Sequence, residues 1–260
     1  MKITVVTVSF NARDCIEKTI KSVLSQTWED LEYIVIDGGS RDGTASIIEK
    51  YSHRLAGWRS EPDGGIYFGM NKGIAAATGE YTLFLNADDS FVDEDVVKKI
   101  ALFLDGREAD VAYGDFYYEY EYGRYLRHPK AIEQMGCSMA VCHQATLVKT
   151  SLLKQRPFDT QYRLSADFDM LSDLYLKGYK FLYMPFPVAN MVMGSGSTHE
   201  NEARSVEEFQ KIMASHGQTL TQSQKGLLKR KKLVDWVKRN LPACLRRPLF
   251  RFIAKIYKPL

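Results

Sequence analysis

The sequence predicts an α/β protein with a mixed, mostly parallel central sheet that is flanked by helices. Two observations lead to this fold class. Short apolar runs alternate with amphipathic helical patterns over residues 1–115, and this alternation is typical of βαβ units. Several of the apolar runs also end abruptly at polar or acidic residues, which is where ligands bind in open parallel sheets.

The elements follow one another in a regular order. Strands are predicted at 3–8, 31–36, 58–60, 81–85 and 111–113, and helices at 14–26, 42–51, 66–77 and 93–104. The rhythm then changes to a hairpin over 115–127 that turns at Gly123, a strand within 139–149, a helix at 167–177, a strand at 181–184, a polar loop at 194–201 and a helix at 202–216.

The charge is divided unevenly along the chain. Residues 225–260 contain 12 Lys or Arg and one acid, about +11, whereas the remaining residues sum to −8. We therefore expect a body over residues 1–217 and a basic tail over 218–260. Apolar side chains recur in the tail at helical spacing, as in helices that lie in a membrane interface. The alternative is a terminal helix that packs on the body.

The tail predicts an anionic membrane surface as a partner and no nucleic acid, because no nucleic-acid-binding motif accompanies its charge. The four cysteines form no CxxC pair, as in reduced cytosolic proteins. No signal peptide is apparent, and no apolar run approaches the roughly 20 residues that span a bilayer. We expect a cytoplasmic protein that attaches peripherally to the inner face of the plasma membrane.

The run over residues 81–89 carries the strongest chemical signal. An apolar strand stops at Asp88 and Asp89, and unpaired acids cannot follow a strand into the core. Asp89 or Ser90 could cap the helix at 93–104. Two adjacent acids, however, repel each other unless a cation lies between them. From this run alone, a metal site and a helix cap are equally good interpretations.

Three other polar segments are expected to join these acids. They are 9–11 and 37–40, which follow strands, and 61–67, which precedes a helix. Glycines in these turns allow a ligand to approach the backbone. Neither G-x-G-x-x-G nor G-x-x-x-x-G-K-[ST] is present, which disfavours Rossmann dehydrogenases and P-loop NTPases. Gly-rich turns between a strand and a helix often bind phosphate at the helix N-terminus. Carboxylates in the same crevice as a phosphate need a divalent cation between the negative charges, and oxygen ligands indicate Mg²⁺ or Mn²⁺. A zinc site at Cys137, Cys142 and His143 has poor spacing.

Together these segments resemble the family 2 glycosyltransferases of the GT-A fold, and especially bacterial enzymes that build capsule, exopolysaccharide or O-antigen units. The resemblance covers roughly residues 1–200. It rests on TVSFN at 7–11, VIDGGSRDGT at 35–44, NKG at 71–73 with GE at 79–80, and LNADD at 85–89. Each motif is weak by itself, but their order and spacing together are specific.

The resemblance implies roles in binding the donor nucleotide. Asp37 is expected to contact the base, and Thr7, Ser9 and Asn11 to line the same pocket. Asp63 is also expected to contact the nucleotide; the alternative is a turn before Gly64.

Asp88 and Asp89 match the end of the family's D-x-D motif, which binds ribose and the metal. Asn86 occupies the first position, which leaves open which of the two acids ligates the metal directly. His199, in the loop at 194–201, is assigned to the metal or the diphosphate; a solvated loop histidine is the alternative.

The general base is assigned by resemblance to Asp167, within RLSADFD at 163–169. Asp169 is the competitor, and helix capping is the alternative role. His143-Gln144 resembles a short motif of this branch of the family, and His143 and Gln144 are expected to face the donor sugar. Lys72 is assigned to the nucleotide sugar, with simple packing as its alternative.

The resulting hypothesis is an inverting glycosyltransferase. It moves a sugar from a nucleotide-diphosphate donor, by family habit a UDP-sugar, to a hydroxyl of a saccharide acceptor. The basic tail suggests that the acceptor is lipid-linked. Two rivals remain: a nucleotidyltransferase, and a non-catalytic sugar-binding scaffold on a degenerate GT-A fold.

Overall fold

The computed structural model describes residues 1–120, 123–193, 202–219 and Gly226. Its helices are α1 (Ile16–Leu24), α2 (Thr44–Lys50), α3 (Ile66–Ala76), α4 (Val96–Leu104), α5 (Thr150–Gln155), α6 (Ala166–Leu176) and α7 (Glu202–Ser215). Its strands are β1 (Ile3–Ser9), β2 (Leu31–Asp37), β3 (Gly57–Ser60), β4 (Tyr81–Phe84), β5 (Ser90–Phe91), β6 (Val111–Tyr120), β7 (Gly123–Arg127), β8 (Thr146–Lys149) and β9 (Phe181–Val192). Short 3₁₀ turns cover Ser52–Arg54, Ile132–Gln134 and His143–Ala145.

The chain divides into two compact units, Met1–Ser195 and Gly196–Leu260. The boundary expected after residue 217 stays a prediction. The loop at 194–200 with His199, and the basic tail apart from Gly226, lie outside the described residues. Within the described part of the chain, no helix has the length and apolar composition needed to cross a bilayer.

The first unit is built on one mixed sheet, which among the described residues has nine strands. Their order is β3-β2-β1-β4-β8-β6-β9-β5, and β7 pairs with β6. The four strands from β3 to β4 are parallel. Beyond them, β8 is antiparallel to β4 and β6, β9 is parallel to β6, and β5 is antiparallel to β9. The predicted α/β sheet is confirmed, with its uninterrupted parallel part in the N-terminal half.

The core explains why the parallel strands read as continuous apolar runs. Every residue of β1 is buried, as expected for a central strand that is covered on both faces. Helix α1 places Ile16, Ile20 and Val23 on the face that is buried against this core.

Strand β9 is longer than predicted and continues through two prolines. Its register with β6 shifts from Gly114↔Met184 to Asp115↔Pro187, which marks a bulge at this point. A bulge leaves ladder positions unpaired and so tolerates proline, which cannot donate a hydrogen bond. Gly114 permits the close approach, since a Cβ there would lie 2.8 Å from the carbonyl oxygen of Phe186.

Helix α3 lies very close to β1 because of a glycine in the NKG motif. A Cβ at Gly73 would lie 2.4 Å from Cγ1 of Val6. We expect Gly73→Ala to lower the free energy of unfolding by about 1–3 kcal/mol, because the added methyl overpacks the core. Chemical denaturation measures the change. The control is Gly57→Ala, where a Cβ meets no atom within 4 Å; equal stability of the two variants would contradict the prediction.

Candidate functional site

The polar strand ends meet at one edge of the sheet, as the sequence predicted. Ser9 of β1 is in register with Asp37 of β2, and Asp37 is in register with Ser60 of β3. The segment after β4 continues beside β1, because the backbone N–H of Ala87 donates to the carbonyl of Val8. The segment 9–11 therefore lies beside the segment that carries Asp88 and Asp89, and the segment 37–40 lies on the far side of 9–11.

Asp37 is the buried centre of this edge. Its Oδ1 accepts hydrogen bonds from the hydroxyls of Ser9 (2.9 Å) and Ser40 (2.5 Å), and its Oδ2 accepts from the Ser60 hydroxyl (2.7 Å) and the Ser40 N–H (2.9 Å). Burial raises the pKa of Asp37, but these bonds outweigh it and leave the pKa below its ordinary value. The carboxylate therefore ties three strand ends together as an anion.

The TVSFN segment presents its side chains in different directions. Thr7 is completely buried, and its hydroxyl accepts a hydrogen bond from Tyr33 at 3.0 Å, so its side chain lies inside the protein. Asn11 is exposed with a φ of 48°, and its Oδ1 accepts from the Arg41 N–H at 3.1 Å. Between them, Phe10 is 66% exposed, and no separate role was predicted for it.

Asp63 lies beside the end of β2. Its Oδ1 accepts a hydrogen bond from the Gly65 N–H at 2.8 Å. The carboxylate occupies space left by two glycines, since a Cβ at Gly38 or Gly69 would come within 3.3 Å of one of its oxygens. Lys72 pairs instead with Glu61, at 3.0 Å, so the described contact of its ammonium group is this ion pair.

Asp88 has a backbone conformation that is rare outside glycine, with a φ of 94°. Thr19, a buried residue of α1, holds this segment through one hydroxyl. The Thr19 Oγ1 accepts from the Asp88 N–H at 3.0 Å and donates to the Asp89 carbonyl at 2.7 Å. Residues held at positive φ cost of order 1–3 kcal/mol and persist only where their surroundings impose them.

We expect Thr19→Val to lower the free energy of unfolding by about 1–3 kcal/mol, because it removes this partner from one buried and one half-buried backbone group. Chemical denaturation measures the loss. Combining it with Asp88→Gly is the control, because glycine adopts positive φ without strain. The loss from Thr19→Val is expected to be larger in that background, because no backbone strain remains to be released when the hydroxyl contacts are lost, and an equal loss would contradict the strain argument.

Asp89 is buried and held from two sides. Its Oδ2 accepts from the Gln144 side-chain amide at 3.0 Å, and its Oδ1 accepts from the Val192 N–H at 3.2 Å. Burial raises the pKa of Asp89 to about 6, although the bond from Gln144 opposes the shift. The helix-cap interpretation is wrong. Ser90 belongs to β5, and α4 begins at Val96 without a side-chain cap.

Asp167 lies in the first turn of α6 and is also held from two sides. Its Oδ1 accepts from the Tyr67 hydroxyl at 2.8 Å, and its Oδ2 lies 3.2 Å from Nδ1 of His143. Burial raises the pKa of Asp167, but the bonds from His143 and Tyr67 outweigh it, and the pKa lies below its ordinary value. The carboxyl is therefore ionised at neutral pH and can accept a proton.

The alternatives to Asp167 as base are accounted for by other contacts. Asp169 is buried and pairs with Arg156 at 2.8 Å. The N-cap of α6 is Ser165, and no side chain caps this helix end. Asp169 is therefore engaged in a structural ion pair, and Asp167, beside His143, is the better candidate for the base.

His143 connects Asp167 with the segment after β4. Its Nε2 lies 3.0 Å from Nδ2 of Asn86, so Asn86 contacts the histidine. The neighbouring Cys142 donates its thiol hydrogen to Gln144. A zinc site at Cys142 and His143 is not formed, and no group of three His, Cys, Asp or Glu side chains in the described ranges could hold a metal ion by itself.

The described side chains nevertheless fit a magnesium-like ion that a nucleotide diphosphate shares. Such ions take one or two protein carboxylates and complete their shell with water and substrate phosphates. Asp88 and Asp89 supply hard oxygen atoms. The Oδ1 of Asn86, in the same segment, is buried without a hydrogen-bond partner among the described residues. This oxygen is therefore a further candidate ligand for the ion.

Three residues of the site had no role predicted from the sequence. They are Phe10, Thr19 and Tyr67, whereas Gln144 was expected to face the donor sugar and instead contacts Asp89. Thr19 and Gln144 contact the acidic segment from 55 or more positions away, and Tyr67 reaches Asp167 across 100 positions. Only Phe10 had a local signal: an aromatic residue directly after a buried strand, between two polar neighbours.

Solved structures identify the class of fold. The chain is similar to S. aureus TarS 1–349 in complex with UDP-GlcNAc, with a TM-score of 0.69 at 20% identity over 92% of this chain and 73% of that one. It is also similar to the mannosyltransferase PcManGT from Pyrobaculum calidifontis in complex with GDP-Man and Mn²⁺, with a TM-score of 0.66 at 16% identity over 99% and 81%. The fold is that of the GT-A nucleotide-sugar transferases.

The family follows from sequence. The model of Glycosyl transferase family 2 matches residues 4–168, and the chain belongs to this family. An uncharacterized glycosyltransferase of Mycobacterium tuberculosis is 42% identical over 106 residues, 40% of each chain. A PGL/p-HBAD biosynthesis glycosyltransferase of Mycobacterium bovis is 31% identical over 170 residues, 62% of this chain and 64% of the relative. The chain thus spans two fifths to under two thirds of the length of these curated relatives.

Proposed function

We propose that the chain is a metal-dependent, inverting glycosyltransferase that moves a sugar from a nucleotide-diphosphate donor to a hydroxyl of a saccharide acceptor. The observation that carries the proposal is the pair of carboxylates Asp89 and Asp167. Asp89 is buried and Asp167 is half-buried, and adjacent residues, Gln144 and His143, contact them. One is suited to a cation and the other to accepting a proton.

The donor is assigned to the edge of the sheet around Asp37. Asp63 and the exposed ring of Phe10 are the groups there that can contact a base, whereas Asp37 anchors the strand ends through four hydrogen bonds. UDP is the proposed nucleotide, supported by the fold shared with TarS in complex with UDP-GlcNAc. Ser9 and Asn11 complete this pocket, while Thr7 supports it from inside.

Asp88 and Asp89 are the proposed ligands of Mg²⁺ or Mn²⁺. When bound, the ion supplies positive charge beside the departing diphosphate. Lys72 and His199 stay assigned to the donor side, His199 through the loop outside the described residues.

Asp167 is the proposed base. It accepts the proton of the acceptor hydroxyl while that oxygen forms a bond to the anomeric carbon and the bond from that carbon to the diphosphate oxygen breaks. Because attack and departure occur on opposite faces of the sugar, the configuration inverts. The low pKa of Asp167, which His143 and Tyr67 maintain against burial, keeps the carboxylate ready for this step.

A panel of nucleotide sugars tests the proposal. The protein is incubated with each donor, with and without Mn²⁺, and release of the nucleoside diphosphate is measured. Metal-dependent release from one donor is the expected result and also names the donor. Pyrophosphate release from a nucleoside triphosphate and a sugar 1-phosphate would show a nucleotidyltransferase, and binding without turnover would show a scaffold.

The acceptor is proposed to belong to surface glycan synthesis and to be lipid-linked. A putative teichuronic acid biosynthesis glycosyltransferase of Bacillus subtilis is 34% identical over 106 residues, which supports the glycan class. The basic, amphipathic sequence of residues 225–260 supports an anionic membrane surface as partner, at the cytoplasmic face. No observation favours nucleic acid.

Truncation after Gln224 is expected to reduce binding to phosphatidylserine-containing vesicles at least about tenfold, since each Lys or Arg near such a surface contributes on the order of 1 kcal/mol. Vesicle sedimentation measures it, with neutral phosphatidylcholine vesicles as the control. Replacing Lys229–Lys232, four consecutive cations, by Gln is expected to give an intermediate loss. Unchanged binding of the truncated protein would contradict the membrane assignment.

A further inference from the structure

A single 3₁₀ turn, His143–Ala145, carries the two side chains that hold the acidic groups of the site. The turn is fixed at its base, because the carbonyl of Cys142 accepts hydrogen bonds from the Ala145 N–H (3.0 Å) and the Thr146 hydroxyl (2.7 Å). Gln144 and Ala145 are buried. Consecutive side chains therefore leave the turn in fixed directions.

His143 points towards the acid of α6. Its Nε2 lies 3.0 Å from Nδ2 of Asn86, and an amide nitrogen can only donate a hydrogen bond. Nε2 is therefore the acceptor, and Nδ1 carries the hydrogen that it donates to Asp167. Asn86 thus sets the tautomer in which the imidazole holds the carboxylate.

Gln144 points towards the acid after β4. Its Nε2 donates to Oδ2 of Asp89 at 3.0 Å, and its Oε1 accepts from the Cys142 thiol at 3.0 Å. The thiol contact orients the amide, so that its N–H₂ side faces the carboxylate. Only one peptide bond separates this residue from His143.

We propose that the turn His143–Ala145 is a positioning element that holds the two acids of the site in a fixed relation, with a separate task for each side chain. His143 aligns Asp167 for the chemical step. Gln144 orients Asp89 for the cation and the donor diphosphate. The inference rests on the proposed function and gives His143 and Gln144 positioning roles, in place of the contact with the donor sugar that the resemblance implied.

The two tasks predict different kinetic effects. His143→Ala is expected to lower kcat about 10–100-fold and leave the donor KM within about threefold, because it removes the partner of the base. His143→Asn is expected to recover most of this loss, since its side-chain N–H₂ can replace Nδ1–H as donor. Gln144→Leu is expected to weaken binding of Mn²⁺ with UDP about 10–100-fold and leave saturated kcat within about threefold.

Matched controls lie in the two other 3₁₀ turns of the described chain. His53→Ala in Ser52–Arg54 and Gln134→Leu in Ile132–Gln134 make the same substitutions at exposed positions. Both are expected to keep wild-type kcat, KM and UDP affinity. If His143→Ala and Gln144→Leu change the same parameter, or if Asn at position 143 is as slow as Ala, the proposal is overturned.

Two measurements need no turnover and separate this inference from the proposed function. Calorimetry with Mn²⁺ and UDP tests Gln144 directly. Nitrogen NMR of the imidazole tests His143, where the hydrogen is expected on Nδ1, and a hydrogen found only on Nε2 would overturn the assignment. If no donor is turned over by the wild type, the proposed function fails, while these two results still decide whether the turn positions the two acids.

Discussion

Asp167→Asn is expected to lower turnover by roughly 10²–10⁴-fold, the usual contribution of a general base. An amide can still accept a hydrogen bond from Tyr67, so the site is retained, but it cannot take the proton of the acceptor hydroxyl. Binding of the donor is expected to stay within about threefold, because the Asp167 carboxylate is held by Tyr67 and His143, whereas the donor is assigned to other groups. Single-turnover kinetics and calorimetry with UDP measure the two effects.

Asp169→Asn is the informative comparison, because both acids lie in the first turn of α6. This substitution breaks the ion pair with Arg156, which keeps its second partner Asp173 at 2.7 Å, and is expected to lower the free energy of unfolding by about 1–3 kcal/mol. Turnover by the folded fraction is expected to remain. Normal turnover in Asp167→Asn, or loss of turnover in a well-folded Asp169→Asn, would contradict the assignment of the base.

Asp89→Asn is expected to abolish activation by Mn²⁺ and to lower turnover at least about 100-fold, since partners of a metal site typically contribute 10–100-fold and a ligand more. Asp89→Asn is also expected to change how the free energy of unfolding depends on pH. Burial raises the pKa of Asp89 to about 6 from 3.8 in the unfolded chain. The protonated folded form is therefore favoured, and its stability is lost as pH rises from about 4 through 6.

The shift corresponds to on the order of 3 kcal/mol between pH 4 and pH 8. The metal-free wild type is expected to show this loss in chemical denaturation, and Asp89→Asn to lack it. Asp105→Asn, at an exposed acid, is the control and is expected to behave as the wild type. An unchanged pH slope in Asp89→Asn would contradict the interpretation.

The Asp89 carboxyl is also expected to determine how activity depends on pH. Protons and the cation compete for Asp89, so activity is expected to fall below about pH 6 and the fall to move to lower pH with more Mn²⁺. Asp167 is not expected to contribute to this fall, since the bonds from His143 and Tyr67 outweigh burial and leave its pKa below the ordinary value. If excess Mn²⁺ does not shift the acidic fall of the pH–activity profile, the assignment of that fall to Asp89 is contradicted.

Most of the fold could be predicted from local patterns. The strands near residues 3, 31 and 81 and the helices between them were found within a few residues, because a parallel strand that is buried on both faces is apolar throughout. Strand β5 and helix α5 were missed, because β5 has two residues and α5 has six, too few to show a repeating pattern of apolar residues. Strand β9 was cut short at Pro185, because the bulge that accommodates proline depends on the register with β6.

The candidate site could be predicted in part. The acids at strand ends follow from the high cost of burying a charge inside a strand, and the topology then brings those ends to one edge. Thr7 was expected to line the nucleotide pocket, but its side chain lies inside the protein. Successive side chains of a strand alternate between two faces, and the sequence does not say which face is turned to the pocket until the neighbouring strands are known. The contacts of Thr19 with Asp88 and of Tyr67 with Asp167 join distant positions, and no local period indicates them.

The sequence by itself determined the α/β class, the family and the set of acids. Each of these follows from residue type and short spacing, which the chain carries locally. Only the tertiary structure decided what each acid does. Asp37 is saturated by three serines, Asp169 is paired with Arg156, and Asp89 and Asp167 are held by Gln144 and His143. The physical reason is that a carboxylate's protonation and availability depend on burial and hydrogen-bond donors, which come from distant parts of the chain.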